Sequence, residues 1–182
     1  MRRALLSILA AASLAVSGLV SAGTASAQGV AMSVDGWARS EAATGTVFYR
    51  CTAVASCGQG ATVSYRKQAD GPLSSLATYR TQNETVDRNL IERSAGRVLS
   101  IDILEVIETE VAGAKVQTAV KVITQAGGQR EYLTSTRFSD GQRHYSLVSS
   151  GPDERVVRAN LAVFLPVVML AAQIGGKPAP AR

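Results

Sequence analysis

The sequence contains few of the residues that build metal centres and disulfide frameworks. Its 182 residues include one His, two Cys and one Trp, and only 5% of the chain is aromatic. A His-rich metal centre needs several imidazole or thiolate ligands, and a disulfide scaffold needs several cysteine pairs. Both classes are excluded. The glycine pairs also lack the strand-to-helix context of a nucleotide-binding loop, so we expect no metal and no other cofactor.

Charge is sparse and evenly spread along the chain. Charged residues make up 18% of it, hydrophobic residues 46%, and the formal net charge is +5. The arginines occur one at a time and do not form a basic stripe interleaved with aromatic residues, which argues against nucleic-acid binding. The composition also excludes disorder and a collagen-like repeat, and the length fits one compact domain.

The first 27 residues have the three parts of a secretory signal peptide. Arg2 and Arg3 form a positive start, an apolar stretch follows, and Ala25-Ser26-Ala27 is a small-x-small cleavage site. An uncleaved membrane anchor is the alternative, but Ser and Gly interrupt the apolar stretch. We therefore predict cleavage after Ala27, one domain over 28–174, a disordered tail over 175–182 and no transmembrane segment in the mature chain. The protein should be periplasmic or secreted.

Cys51 and Cys57 are the two cysteines of the chain, and an oxidising compartment favours a disulfide between them. The flanking segments 46–50 and 61–66 have the residue types of strands, and glycines lie between them. This pattern predicts a β-hairpin closed by the disulfide. A redox-active pair, or half of a metal site, is the alternative for these cysteines.

Apolar residues alternate with polar ones over 97–149, which predicts a four-stranded antiparallel meander. Three turn signals join its strands: Gly113-Ala114, Ala126-Gly127-Gly128 and Asp140-Gly141.

The turns also predict a register for the meander. The first places Val111 opposite Val116, and the second places Val122 near Tyr132. The third pairs the residue at 138 with the residue at 143. In this register the apolar rows fall on one face, as expected of a sheet with one buried side.

A helix is predicted from about Gln82 to Ser94, on the C-terminal side of an ambiguous segment. Thr81 is its expected cap, and Val86 and Leu90 form a short apolar stripe.

A second helix is predicted near the end of the chain. Ser150 resembles its cap, and apolar residues then recur at helical spacing as far as residue 172. Pro166 should kink or interrupt this helix near Ala162. The uncharged stretch 161–174 is shorter than a bilayer crossing, which favours a buried core helix.

These elements predict an α+β fold, in which an N-terminal hairpin and a four-strand meander form an antiparallel sheet covered by two helices. In element order alone the arrangement resembles the exported α+β sandwiches of the PsbP-like group. No residue motif accompanies the resemblance, and no function is taken from it.

His144 is the residue on which a hydrolase would depend. The predicted register puts it opposite Arg137, with Asp140 and either Ser135 or Ser146 close enough for a triad. There is no G-x-S-x-G elbow, and a neighbouring arginine lowers the pKa of a histidine. We therefore assign no catalytic residue. The candidate polar surface at this hairpin end consists of Arg137, Arg143 and His144.

Four acidic residues cluster in the first strand of the meander: Asp102, Glu105, Glu108 and Glu110. Parity puts all except Glu105 on the outer face beside Lys121, where carboxylates are solvated. Glu105 has the parity of the apolar row. It should lie at a rim or bulge, or pair with a basic residue of the covering helix as a polar site.

The sequence as a whole favours an exported, non-catalytic accessory or binding protein of the cell envelope. Its partner is unknown, and the outer sheet face or the Cys51 to Cys57 loop would contact it. One alternative is a small periplasmic hydrolase that uses His144. Another is a carrier of a small apolar ligand, in a pocket opened by a kink at Pro166.

Overall fold

The computed structural model describes residues 32–174, so the predicted signal peptide over 1–27 and the tail over 175–182 lie outside the described residues. The described part contains seven strands and three helices. The strands are β1 (Trp37–Glu41), β2 (Val47–Cys51), β3 (Thr62–Lys67), β4 (Val98–Val111), β5 (Ala114–Gln125), β6 (Arg130–Ser139) and β7 (His144–Gly151). The helices are α1 (Val54–Cys57), α2 (Leu76–Arg93) and α3 (Glu154–Ala171).

All seven strands form one antiparallel sheet in the order β1-β2-β3-β7-β6-β5-β4. The predicted hairpin and meander are both present, and β3 pairs with β7 to join them. The predicted α+β fold, an antiparallel sheet covered by helices, is confirmed. Strand β1 was not predicted.

The register at the first meander turn differs from the predicted one. Ala112-Gly113 forms the turn with positive φ at both residues, so Val111 pairs with Ala114. The middle turn is as predicted, with Val122 opposite Tyr132. The shift at the first turn is two residues, which keeps each side chain on its predicted face.

The third turn is longer than the predicted Asp140-Gly141. It spans 140–143, so Ser139 pairs with His144 and Phe138 does not pair with Arg143. The shift is again two residues and preserves the faces. Its consequence is that Arg143 belongs to the turn and not to a strand.

Helix α3 covers one face of the sheet, called here the inner face. The apolar core lies between them and includes Val47, Tyr49, Val63, Val116, Phe138, Leu147, Phe164, Leu165 and Val168. The helix begins after Asp153, whose carboxylate accepts hydrogen bonds from the amides of Arg155 and Val156 at 2.8 and 3.2 Å. The predicted cap at Ser150 is therefore wrong, because that residue still belongs to β7.

Pro166 does not interrupt α3, which continues to Ala171. The exposed proline lies between Leu165 and Val168, which are buried against the sheet. This packing holds the chain helical on both sides of the missing amide, so the predicted break near Ala162 is wrong. Within residues 32–174, no helix has the length and apolarity to cross a membrane.

Helix α2 packs on the opposite face of the sheet, called here the outer face. Strand β5 is consequently buried on both sides: Val116 and Val120 face α3, while Gln117 and Lys121 face α2 and are equally inaccessible. The predicted one-sided burial is therefore wrong for this strand. The alternation of residue types showed which residues of β5 share a face. It did not show that α2 also covers the face with the polar residues.

A bulge in β4 changes the face on which its residues lie. The register shifts between Ile103 and Glu105, so Asp102 lies on the inner face and Ile103 on the outer face. The predicted outward position of Asp102 is therefore wrong. Glu105 lies at this bulge, as one of its two expectations had it, and forms an ion pair of 2.8 Å with Arg158 of α3; a functional role for it stays a prediction.

Helix α2 begins at Leu76, six residues earlier than predicted. Ser75 is its N-cap and accepts a hydrogen bond from the amide of Thr78 at 3.2 Å. The predicted cap at Thr81 is wrong. The ambiguous segment before the predicted start thus supplies the first turn of the helix.

Candidate functional site

The buried side of α2 is polar. Tyr79, Asn83 and Asp87 recur at four-residue spacing and are buried against the sheet. The predicted apolar stripe is wrong, because Val86 and Leu90 are 60% and 46% exposed. The helix is therefore attached to the sheet by polar contacts, while two of its apolar side chains meet solvent.

An ion pair and a tyrosine fix the position of α2. The Lys121 ammonium lies 2.7 Å from Oδ1 of Asp87, and the two residues are 2% and 7% exposed. Burial lowers the pKa of Lys121, and the carboxylate of Asp87 acts in the opposite direction. The Tyr79 hydroxyl donates to the carbonyl of Ser135, at the neighbouring strand β6.

One flank of α2 faces the middle of the sheet. Gln82, Val86 and Leu90 follow each other at four-residue spacing and so lie on one side of the helix, called here the α2 flank. Gln82 accepts a hydrogen bond of 2.6 Å from Arg137 on β6. In the sheet, β6 lies between β5 and β7. Since the α2 flank contacts β6 through Gln82, it faces toward β7.

Beyond β6, the outer face is open except beside the start of β7, where Gly71 accepts a hydrogen bond from Ser139 and Nε2 of His144 is buried. Helix α2 packs on β4 and β5, and α3 reaches β3 and β7 from the inner side, so within residues 32–174 no helix packs on the outer face of β1, β2, β3 and β7. This surface is called here the open face. Its side chains are Ala38, Ser40, Phe48, Arg50, Thr62, Ser64, Arg66, His144, Ser146, Val148 and Ser150.

The open face is basic and contains no carboxylate. Arg50 and Arg66 project from β2 and β3, and neither forms an ion pair with any residue of the described chain. Phe48 lies on the same side of β2 and is 43% exposed. The open face thus combines an exposed aromatic ring with hydroxyl and guanidinium groups, and aromatic and arginine side chains are residue types enriched at protein interfaces.

Two of the three residues predicted to form a polar surface lie at the junction of α2 and the open face. Arg137 is half-buried, and its guanidinium carbon is 5.4 Å from the centre of the Tyr79 ring. His144 begins β7 on the same side of the sheet, and its Nε2 is buried without a hydrogen-bond partner. Burial, and secondly the charge of Arg137, lower the pKa of His144, so the imidazole is neutral at pH 7.

Arg143 has a different role from the one predicted. Its guanidinium contacts Asp140 at 2.7 Å within the turn and donates to the carbonyls of Ala172 and Gln173 after α3. It therefore joins the turn to the end of α3. The structure does not place it beside Arg137 and His144.

The groups of a hydrolase triad are not assembled around His144. The carboxylate of Asp140 is occupied by Arg143 and by two amides of its own turn. Ser146 accepts a hydrogen bond from Gln68 at 2.7 Å. Among the described residues, no hydrogen bond joins the His144 side chain to a serine or a carboxylate. That part of the chain also contains no group of three or more His, Cys, Asp or Glu side chains able to hold a metal ion.

The predicted disulfide between Cys51 and Cys57 is present. It joins the end of β2 to α1, and the Cys57 carbonyl accepts a hydrogen bond of 3.0 Å from Asn160 of α3. Gly58 continues this contact, since a Cβ there would lie 2.7 Å from a methyl group of Val156. The cysteine loop is thus fastened to α3 and is not a free contact loop.

An open groove of about 780 Å³ lies beside the first turns of α3. Most of its lining is charged: Asp153, Glu154, Arg155 and Arg158 lie around Tyr132, Pro152 and Ala159. This lining does not match a small apolar ligand, and Pro166 is not part of it.

Phe48, Arg50 and Arg66 are not among the residues that the sequence predicted to be functional. Their alternation with Val47, Tyr49 and Val63 in the hairpin indicated a surface position, but this signal is the same for any solvated strand. These three residues differ from those of an ordinary solvated strand because β3 pairs with β7. That pairing extends the sheet beyond the strands on which α2 packs.

Comparison with known proteins does not identify the chain. No known family matches it, and no curated protein matches its sequence. A Pseudomonas aeruginosa protein of unknown function, PA94, has 13% sequence identity and a TM-score of 0.35, over 66% of this chain and 74% of its own.

Two human structures are also similar at a distance. STARD10 has 9% identity and a TM-score of 0.27, over 79% of this chain and 74% of its own. The lipid transfer and protein localization domain of StarD13 has 10% identity and a TM-score of 0.22, over 79% of this chain and 90% of its own. TM-scores this low establish neither a shared fold nor a shared function.

Proposed function

We propose that the protein is an exported, non-catalytic binding module that contacts a macromolecular partner of the cell envelope through the open face and the α2 flank. The observation that carries the proposal is the half-covered outer face. Helix α2 packs on β4 and β5, while β2 and β3 present Phe48 and two arginines that form no ion pair within the described residues. Exposed aromatic and arginine side chains are the types enriched where proteins bind one another.

Export is supported by the disulfide and by the sequence of the first 27 residues. Disulfides persist in oxidising compartments, and the segment ending at Ala27 has the parts of a cleavable signal. Intact mass spectrometry of protein from its own envelope fraction tests this. We expect a chain starting at Gln28 that is two hydrogens lighter than the reduced form; a retained Met1 with free thiols would contradict it.

Site-specific photo-crosslinking tests the binding surface. A photoreactive amino acid at Phe48, in the centre of the open face, should give a discrete adduct in the native envelope. The matched control is Val163 of α3, which is 54% exposed on the other side of the molecule. Equal adducts at both positions, or none at Phe48, would refute the assignment of the open face.

A further inference from the structure

We propose that the open face takes an acidic amphipathic α-helix of the partner, which lies beside α2 as a second helix on the outer face. The proposal rests on the proposed function and names the chemistry of its partner. Three features of the surface lead to it: its shape, its apolar side chains and its charge.

The surface has the shape of a step. The open face forms its flat part, called here the floor, and the α2 flank rises beside it at β6 and is called here the wall. Phe48 on β2 lies three strands from β6, which is roughly 14 Å at the usual strand spacing. Helices are about 10 Å wide and pack about 8–10 Å apart. One helix therefore fits between the α2 flank and Phe48.

The apolar side chains lie on both sides of this space. Val86 and Leu90 project from the wall, and Phe48 and the half-buried Val148 and Leu133 lie along the floor. A helix with apolar residues at i, i+3, i+4 and i+7 would bury both sets at once. A β-strand laid on the floor would reach only one set, because it would lie flat and leave the wall exposed. Strand addition needs a sheet edge, and the open face is not an edge.

Charge decides what accompanies the apolar stripe. Arg50, Arg66 and Arg137 border the space, and the open face has no carboxylate. Glu131 on β6 lies on this side of the sheet and accepts a hydrogen bond from Gln125. Acidic residues flanking the stripe would pair with the arginines, whereas basic residues would be repelled.

Charge also excludes this chain as the occupant of its own open face. The segments outside the described residues, 1–31 and 175–182, have basic residues and no acidic ones. A second copy stacked with its open face on this one would bring together two basic surfaces, neither of which contains a carboxylate. Neither arrangement complements the charge, so the helix must belong to another protein.

Two synthetic peptides test the proposal. Each has 18 residues, the length of α2, with Leu at the i, i+3, i+4 and i+7 spacing; one has Glu at the other positions and the second has Lys. Binding to the mature protein is measured by fluorescence anisotropy, and peptide helicity by circular dichroism. We expect the Glu peptide to bind as a helix. The Lys peptide should bind at least about tenfold more weakly than the Glu peptide.

Surface variants locate the binding. Val86→Asp with Leu90→Asp should weaken binding of the Glu peptide by about tenfold or more. The control pair, Val163→Asp with Leu170→Asp, changes an exposed valine and an exposed leucine on α3 and should have no effect. Exchanging Arg50 for Glu should reverse the preference between the two peptides. All these side chains are exposed to solvent, so the variants keep the fold.

The outcomes separate this inference from the proposed function. Failure of the Glu peptide to bind, equal binding of both peptides, or equal effects of the α2 and α3 variants would overturn the helix proposal. If Phe48 still forms its adduct in the envelope, the binding function then stands without it. If Phe48 forms no adduct, the proposed function fails as well.

Discussion

Replacing Lys121 by Met tests the arrangement that holds α2 on the sheet. The ammonium lies 2.7 Å from Oδ1 of Asp87, and Oδ2 of the same carboxylate is buried without a partner. Lys121 is therefore the one hydrogen-bond donor to Asp87 among the described residues. Its removal leaves a buried carboxylate unpaired, which costs about 3–5 kcal/mol.

The magnitude makes the effect easy to measure. A domain of this size has a free energy of unfolding of about 5–15 kcal/mol, so the variant should fold with a clearly lower stability. The melting temperature should fall by roughly 2–4 °C per kcal/mol. The double variant Lys121→Met with Asp87→Leu removes both charges and should recover most of the loss, because replacing a whole buried pair by apolar residues is often neutral.

Urea denaturation of the wild type, both single variants and the double variant at pH 7 closes the cycle. Two results would refute the reasoning: a Lys121→Met variant within about 1 kcal/mol of the wild type, or a double variant as unstable as the two single effects added. Either would show that the carboxylate of Asp87 is solvated and that the polar side of α2 is not buried in solution.

Three further predictions concern other parts of the fold. Reduction of the disulfide should remove about 2 kcal/mol and lower the melting temperature by several degrees without unfolding the protein at room temperature; an unchanged melting temperature would contradict this. The pKa of His144 is lowered in the folded protein, so the unfolded chain takes up a proton first as the pH falls below 6.5, and the free energy of unfolding decreases there. The variant His144→Gln should therefore lose less stability than the wild type between pH 7.5 and pH 5.5, measured by urea titration. Equal losses in the two proteins would exclude the histidine as the cause. Gly58→Ala should destabilise the fold by roughly 1–3 kcal/mol, because φ is +87° and the new Cβ would meet Val156. The control Gly60→Ala, at φ +73° with open space around it, should cost only the backbone strain. Equal losses of stability in thermal melts would show that the contact of Gly58 with α3 is not tight.

The sequence by itself determined six of the seven strands, the two long helices and most of the parity of the sheet. Alternation over 97–149 identified the apolar row that faces α3, and shifts of two residues at two turns left that row in place, although the bulge in β4 moved Ile101 and Ile103 to the outer face. The cysteine spacing within a predicted export context indicated the disulfide. The position of Glu105 in an apolar row indicated that it lies at a rim or bulge or else is a polar site. These features are local, because residues near one another in the chain carry the whole signal.

The tertiary structure decided which polar residues are buried and which apolar ones are exposed. Periodicity assigned Val86 and Leu90 to the core. In the structure, α2 instead presents Asp87 to the sheet, because Asp87 forms an ion pair with Lys121 on β5. A pattern within one helix cannot reveal a partner that another strand supplies. The sequence also could not show that β3 pairs with β7 and extends the sheet beyond α2. That pairing creates the open face, since only the assembled sheet determines how much of its surface one helix can cover.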